Sequence, residues 1–349
     1  MERKKRILVT GAAGTVGTAV LDILCAQSER YEISAFEADT KRAHRRLRKY
    51  ADKIHCYYGD ISCESDIREV CRDRDAVLHF AAVIPPLADK DPALAQRVNV
   101  RGTANLIAAV EKYASSAFFL YASSISVYGD RLQDPFIRVG DALSCSEGDA
   151  YAGTKIAAEA IVRGASADWS IFRLTAVMGV GNHKISKLMF HMPLKTHLEI
   201  ITPEDCARAF VYALDHRTSL SRRIFNLGGG PQCRIEYRDF LRRSFQHFGL
   251  GKIDFPPGAF AGRNFHCGYY ADGEHLEEIL HFRRECVDSY FGRVKCSVSA
   301  LRRMSTRLLS HIIKHALLRR SEPYMAVRRK DLALMRRFFG ECPDRRIPA

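Results

Sequence analysis

Strand-like and helix-like segments alternate without interruption over the first half of this chain. RILV at 6–9 reads as a buried strand and residues 15–28 as a helix. EISAFE at 32–37 is a second strand, and KRAHRRLRKY at 41–50 a very basic helix. IHCYYGD at 54–60 and AVLHFAA at 76–82 supply strands three and four, with a short acidic helix between them. A long helical pattern covers 92–114, AFFLYASS at 117–124 is a fifth strand, 149–166 a further helix, and WSIFRLTAV at 169–177 a sixth strand. Apolar, β-branched strands joined through helices need cover on both faces, which is the condition of a parallel sheet. Right-handed crossovers then make this an α/β chain with a doubly wound, Rossmann-type parallel sheet. After about residue 178 the alternation loosens. TPEDCARAFVYALDH at 202–216 predicts a helix with Thr202 as N-cap and Pro203 in its first position. RIFNLGGG at 223–230 is a strand running into a turn, and 235–249 is another helix.

The chain has 349 residues, enough for one large domain or a domain with a smaller lobe, and 47% hydrophobic residues can build its core. Its 11 cysteines are odd in number and contain no CxxC pair, which excludes a disulfide framework and points to a reducing compartment. The basic start, MERKKR, is followed by only four apolar residues before Thr10, too few for a signal peptide. No run approaches about 18 apolar residues. The expected location is the cytoplasm. Net charge is +14, and residues 297–349 hold 13 Lys or Arg against 4 Asp or Glu, so an acidic partner meets the tail first.

TGAAGTVG, Thr10–Gly17, lies between the first strand and the first helix. Gly11 permits a tight turn, Gly14 lets a pyrophosphate approach the backbone, and Gly17 lets helix and strand pack closely. The spacing is GxxGxxG rather than GxGxxG, and its place between strand and helix gives it weight. Glu37 ends the second strand, where an acid can hold adenosine ribose hydroxyls and favours NAD. Lys41 and Arg42 pull towards the 2′-phosphate of NADP, so NAD is preferred and NADP is the alternative. Asp60, closing the third strand, suits either an adenine amine or a helix start.

ASSISVYGD at 122–130 closes the fifth strand, and the carboxyl ends of such strands are where ligands bind. That puts Ser123 or Ser124 at the edge of the crevice. Tyr151 opens the next helix and Lys155 stands on the same face one turn on. A nearby ammonium and a cationic nicotinamide would lower the phenol's pKa and make it an acid/base near neutrality.

TGAAGTVG, GD at 59–60, HFAA at 79–82, NVRGTANL at 99–106, SSISVYG at 123–129, YAGTK at 151–155 and RLTAVMG at 173–179 together resemble the extended short-chain dehydrogenase/reductase family, in its NAD-dependent epimerase/dehydratase group. FNLGGG and YADGEHLEEILHF at 270–282 resemble later segments of that group, so the likeness runs from about residue 5 to 296. It implies Tyr151 as general acid/base, Lys155 on the nicotinamide ribose, and Ser124, four residues before Tyr128, as the catalytic hydroxyl. It also implies cofactor contacts at Gly11, Gly14, Thr15, Val16, Gly17, Glu37, Asp60, Ile61, Ala81 and Ala82. The implied reaction is hydride transfer between nicotinamide and a secondary alcohol or ketone, with a nucleotide sugar as one substrate class, in a homodimer.

The implied organisation is a cofactor domain over 1–178 to which 202–230 returns, a smaller substrate lobe from 179–200 and 231–296, and a basic amphipathic extension over 297–349. Two departures matter. Sugar 4,6-dehydratases of the group carry an Asp-Glu pair after the catalytic hydroxyl; here Ile125 and Ser126 follow Ser124, which disfavours a dehydratase. The stretch between Gly179 and Thr202 is short for a sugar-nucleotide site. Arg173, Arg234 and Arg263 are candidate anion contacts, each better read as a surface or structural arginine. In the extension, LRRMSTRLLSHIIKHALLRR at 301–320 places its apolar residues on one helical stripe. A helix docked on its own domain or on a dimer partner is the preferred reading, and contact with an anionic membrane or nucleic acid the other. His311 and His315 have the spacing of a metal pair without a third ligand. The reading opposed to an enzyme is a non-catalytic NAD(P)-binding scaffold that holds RNA or a membrane through this tail.

Overall fold

The computed structural model describes residues 3–181 and 185–340. β1 (Lys5–Thr10) passes through the glycine turn into α1 (Thr15–Cys25). β2 (Tyr31–Glu37), α2 (Lys41–Leu47), β3 (His55–Tyr58), α3 (Glu64–Arg68) and β4 (Ala76–His79) follow. Two short helices, α4 (Leu87–Lys90) and α5 (Pro92–Ala95), lead through a π-helical stretch, Gln96–Arg101, into α6 (Gly102–Tyr113). The long helical pattern at 92–114 is therefore a helix of mixed pitch. Its wide turn carries Asn99, whose side chain is committed elsewhere, as such turns often are near functional sites.

β5 (Phe118–Ser124), β6 (Phe136–Ile137), α7 (Ala150–Arg163), β7 (Asp168–Leu174) and β8 (Ala176–Val177) come next. The single strand expected at 169–177 breaks at Thr175. Its N–H donates to the Leu227 carbonyl and its hydroxyl to the Glu199 carbonyl at 2.6 Å, so the chain leaves one sheet for another. β9 (His197–Ile201), α8 (Pro203–Ala213), α9 (Arg217–Leu220), β10 (Arg223–Leu227), β11 (Arg234–Glu236), α10 (Tyr237–Phe248), β12 (Tyr269–Tyr270), α11 (Glu274–Leu280) and α12 (Val287–Ser297) complete the body. Thr202 caps α8 by accepting from the Asp205 N–H at 3.2 Å, with Pro203 in the first turn, as the sequence predicts. The extension holds α13 (Ala300–Leu308), α14 (Ser310–Leu318), α15 (Glu322–Arg329) and α16 (Leu332–Phe339). Its expected single helix over 301–320 is interrupted at Leu309, where φ is −94° and ψ 7°.

Seven strands form one parallel sheet in the order β10-β7-β5-β4-β1-β2-β3, so the strand order reverses between β1 and β4. Successive side chains of β1 point to opposite faces. Ile7 and Val9 join a core with α1, α8 and α11, while Leu8 joins a core with α3, α6 and α7. Apolar runs without polar alternation are what such two-sided burial demands. A third core, including Phe190, Phe245 and Phe291, fills the lobe built on β9, α10 and α12, where β11-β9-β8 makes a small sheet. The cysteines described are all unpaired. Among the described residues, no helix is long and apolar enough to cross a membrane.

Candidate active site

The crevice opens where the strand order reverses, at the carboxyl ends of β1 and β4. Gly11 turns there with φ +67°, and a Cβ on it would lie 2.6 Å from the Ala81 backbone nitrogen, so only glycine fits. Gly17 meets the Gly11 carbonyl as closely, at 2.3 Å for a Cβ. No side chain caps α1 and no acid occupies its first turn. The N–H groups around Thr15, Val16 and Gly17 are thus left for an anion. These features fit a dinucleotide's pyrophosphate.

Glu37 ends β2 as expected, and its carboxylate accepts from the Ala13 N–H at 2.8 Å and from its neighbour Ala38 at 3.1 Å. It therefore stands over the glycine turn, where ribose hydroxyls would come. Lys41 and Arg42 are exposed on α2. Asp60 spends one oxygen on the Ser62 N–H and hydroxyl, which hold its pKa below the usual carboxylate range. Its own backbone and the buried Ile61 shape the rim beside Gly102. Ala81 and Ala82 continue β4 past the crevice.

What holds that rim is a chain of buried polar groups. The Thr10 hydroxyl donates to His79 Nδ1 at 2.6 Å. His79 Nε2–H donates to Thr103, because the Thr103 hydroxyl gives its proton to the Asn99 carbonyl at 2.6 Å. Burial pushes the His79 pKa down to about 3, so this imidazole stays neutral. Asn99 clasps both backbone groups of Val83, at 2.7 and 2.9 Å, and donates to Thr154 of α7 at 2.9 Å. It fastens the strand-end loop to the helix that carries Tyr151. Nothing in the residue type marks Asn99 for this; its place in the wide turn does.

α7 starts at an N-cap, Asp149, which accepts from the Ala152 N–H at 2.9 Å. Tyr151, Lys155 and Glu159 then recur every four residues on the face turned to β5. Tyr151 stands beside Ser124, whose hydroxyl acts to lower the phenol's pKa. The Ser124 oxygen also accepts from the Ser126 N–H at 3.2 Å and its hydroxyl at 3.0 Å. Ser124, not Ser123, is thus the serine beside the tyrosine. Ser123 points into the protein and donates to Glu159 at 2.5 Å.

Lys155 is buried. It donates to the Ala122 carbonyl at 2.7 Å and the Tyr121 hydroxyl at 3.2 Å, and its nitrogen lies 5.8 Å from the centre of the Tyr151 ring. Burial pulls its pKa down to about 7, against the raising influence of Glu159. The protein groups alone raise the Tyr151 pKa; the expected depression calls for the cationic nicotinamide as well. Burial causes the rise, and the Ser124 hydroxyl opposes only part of it. The lysine is turned towards Ala122, so the phenol rests protonated.

Glu159 is the functional neighbour that sequence reasoning missed, although it continues the four-residue spacing. It pairs with Arg173 at 2.7 Å, both side chains buried, and Arg173 also reaches Tyr128 and the Val139 carbonyl. Arg173 is therefore structural, its guanidinium spent on Glu159, Tyr128 and Val139. Arg234 is likewise spent on Glu199 at 3.0 Å. Arg263 is exposed, with its N–H on the Phe338 carbonyl. His311 and His315 are exposed on α14.

A family model described as the NAD dependent epimerase/dehydratase family matches residues 7–228. A curated relative, the dTDP-glucose 4,6-dehydratase of Mycolicibacterium smegmatis, is 32% identical over 162 residues, which is 45% of this chain and 48% of that protein. The chain spans about half the length of the curated relatives it matches. Among solved structures, UDP-glucuronic acid 4-epimerase from Bacillus cereus, in complex with UDP-glucuronic acid and NAD, superposes with a TM-score of 0.69. It is 18% identical and covers 84% of this chain and 99% of its own. A short-chain dehydrogenase/reductase superfamily protein from Agrobacterium tumefaciens with bound NAD gives 0.64 at 20% identity, covering 88% of this chain and 99% of its own. At these identities the structures establish a shared fold.

Proposed function

This chain belongs to the NAD-dependent epimerase/dehydratase family, and on that footing we propose that it moves a hydride at a secondary alcohol or ketone carbon of a small molecule, a nucleotide sugar by class, with Tyr151 as acid/base. The observation that carries this reading is the placement of Ser124, at the end of β5, beside Tyr151, with Lys155 buried one turn below. The glycine turn, Glu37, the Asp60–Ile61 rim, Ala81–Ala82 and Lys155 are the groups to hold the cofactor. NAD bound there supplies the hydride acceptor and, when oxidised, a positive charge that lowers the phenol's pKa.

The chain's own part is proton handling. Ser124 holds the reacting oxygen within reach of Tyr151. In the reducing direction the neutral phenol gives its proton to that oxygen; in the oxidising direction the phenolate takes the proton back. Lys155 would hold the nicotinamide ribose and, when charged, favour the phenolate. Elimination of water would demand a further acid and base beside the sugar. After Ser124 come Ile125, buried and apolar, and Ser126, whose hydroxyl is spent on Ser124. An epimerase or a dehydrogenase/reductase is thus favoured over a dehydratase, even though curated relatives carry the dehydratase name.

The test is turnover of a panel of UDP- and dTDP-sugars by the full chain with NAD, followed by product stereochemistry and NADH absorbance. Epimer formation or NADH release supports the reading. A 4-keto-6-deoxy product would sink the preference against dehydration. Absence of any reaction in a protein that binds NAD would favour the scaffold alternative.

A further inference from the structure

The first half of the extension wears its amphipathic pattern inside out. α13 has no buried residue; it leans on α10 through the Arg303 carbonyl beside Gly249 and through Arg302, whose guanidinium lies 5.9 Å from the centre of the Phe248 ring. Its apolar side chains face away, with Leu301 72%, Met304 58% and Leu308 81% exposed, and Leu309 and Ile312 follow at 50% and 65%. Leu301, Met304, Leu308 and Ile312 make one stripe that continues across the break between α13 and α14. Such residues normally occur singly on a protein surface, so a contiguous row of them marks an interaction site.

The charge around the stripe is mostly basic, with Asp254 set against it as the partner of Lys314 at 2.5 Å. No Asp or Glu occurs between Asp288 and Glu322, whereas eight Lys or Arg do. Arg302, Arg307, Arg319 and Arg320 are exposed beside the apolar row, and Arg319 also lines a shallow cleft with Met325, Arg328 and Arg329. α15 and α16 anchor this surface to the body. Glu322 pairs with Lys187 and, at 3.2 Å, with His191; Ser321 donates to the Ala259 carbonyl; and the Phe338 carbonyl accepts from Gly262 and Arg263.

We propose that α13 and α14 lie in the plane of an anionic membrane, with the apolar row sunk to the headgroup boundary and the arginines on lipid phosphates. Both elements have nine residues, too short to span a bilayer and suited to lying on one. Nucleic acid fits the charge but not the row. Single-stranded bases are held by aromatic stacking, and no Phe, Tyr or Trp occurs between Phe291 and Tyr324. A second copy fits the row but not the charge, because a two-fold contact would set this basic face against itself. An anionic lipid surface satisfies both.

The experiment is co-sedimentation of the full chain with vesicles of phosphatidylcholine alone and of phosphatidylcholine mixed with phosphatidylglycerol. The expected result is partition onto the anionic vesicles at least about tenfold above the neutral ones. The double variant Leu308→Glu/Ile312→Glu should lose about tenfold or more of that partition while keeping the wild-type melting temperature and NAD affinity. Arg302→Gln/Arg307→Gln should weaken it by a smaller factor and flatten its salt dependence. Failure to sediment with anionic vesicles overturns the proposal, and so does equal partition of wild type and the Leu308/Ile312 variant. RNA binding that survives in that variant without vesicle binding, or a stable dimer that it splits, overturns it in favour of the corresponding partner.

Discussion

The seven-stranded sheet and the α13–α14 extension use the same apolar residue types to opposite ends. In β1, Ile7, Leu8 and Val9 are fully buried, sent alternately to two cores. In α13, Leu301, Met304 and Leu308 stand in solvent while Arg303 meets Gly249. A periodic pattern fixes which side chains share a face. Which way that face points depends on whether a partner surface exists within the chain. The sheet is covered on both faces by helices of the same chain; the extension presents a face that none of the described residues covers.

Mutation should separate the two regions by size of effect. The largest falls under the site, where Arg173→Met leaves Glu159 as an uncompensated buried charge. We expect about 3–5 kcal/mol of lost stability by urea unfolding. A loss below about 1 kcal/mol would mean that the pair is not the anchor of β7 and α7. Next is Lys155, whose folded pKa of about 7 lies below its unfolded value of 10.5. Between these pH values the unfolded chain binds more protons, so stability rises with pH across that window. Comparing wild type with Lys155→Met from pH 7 to 10 isolates this group: wild type should gain on the variant, and a constant difference would contradict the buried, neutralised lysine.

Smaller again is Gly11→Ala, which forces a Cβ onto the Ala81 backbone at a positive φ. It should cost about 1–3 kcal/mol and weaken NAD binding, both readable from melting curves with and without NAD. Thr202→Ala removes one helix cap and should cost about 1 kcal/mol. At the end of the series, Leu308→Glu should change stability by less than about 0.5 kcal/mol, since among the described residues Leu308 is 81% exposed. A larger loss would break the comparison by showing that the extension is packed after all.

The sheet was legible because burial on both faces leaves only apolar residues, and because Gly11, Gly14 and Gly17 punctuate the first crossover. Thr202 and Pro203 named the start of α8 for a similarly local reason. The break at Thr175 was not legible, since it depends on a hydroxyl meeting Glu199, a residue 24 positions later. In the site, Tyr151, Lys155 and Ser124 could be found from spacing and family likeness. The rise that the protein groups alone give the Tyr151 pKa could not. It follows from burial and from Lys155 bonding to Ala122, and a sequence carries neither. Arg173 could be read as structural from the sequence, but its partner Glu159 could not be named because it lies on a separate element. Asn99 escaped notice because a polar residue inside a helical pattern gives no sign of what it clasps.

The central claim is that Tyr151 transfers the proton that accompanies hydride movement. Its most direct test is single-turnover kinetics of wild type and Tyr151→Phe with bound NAD and a reactive nucleotide sugar, alongside the NAD dissociation constant of each. The account predicts a fall in the rate of about 10²–10⁴-fold with unchanged NAD affinity. Equal rates in the two proteins would show that another group moves the proton and would contradict the assignment.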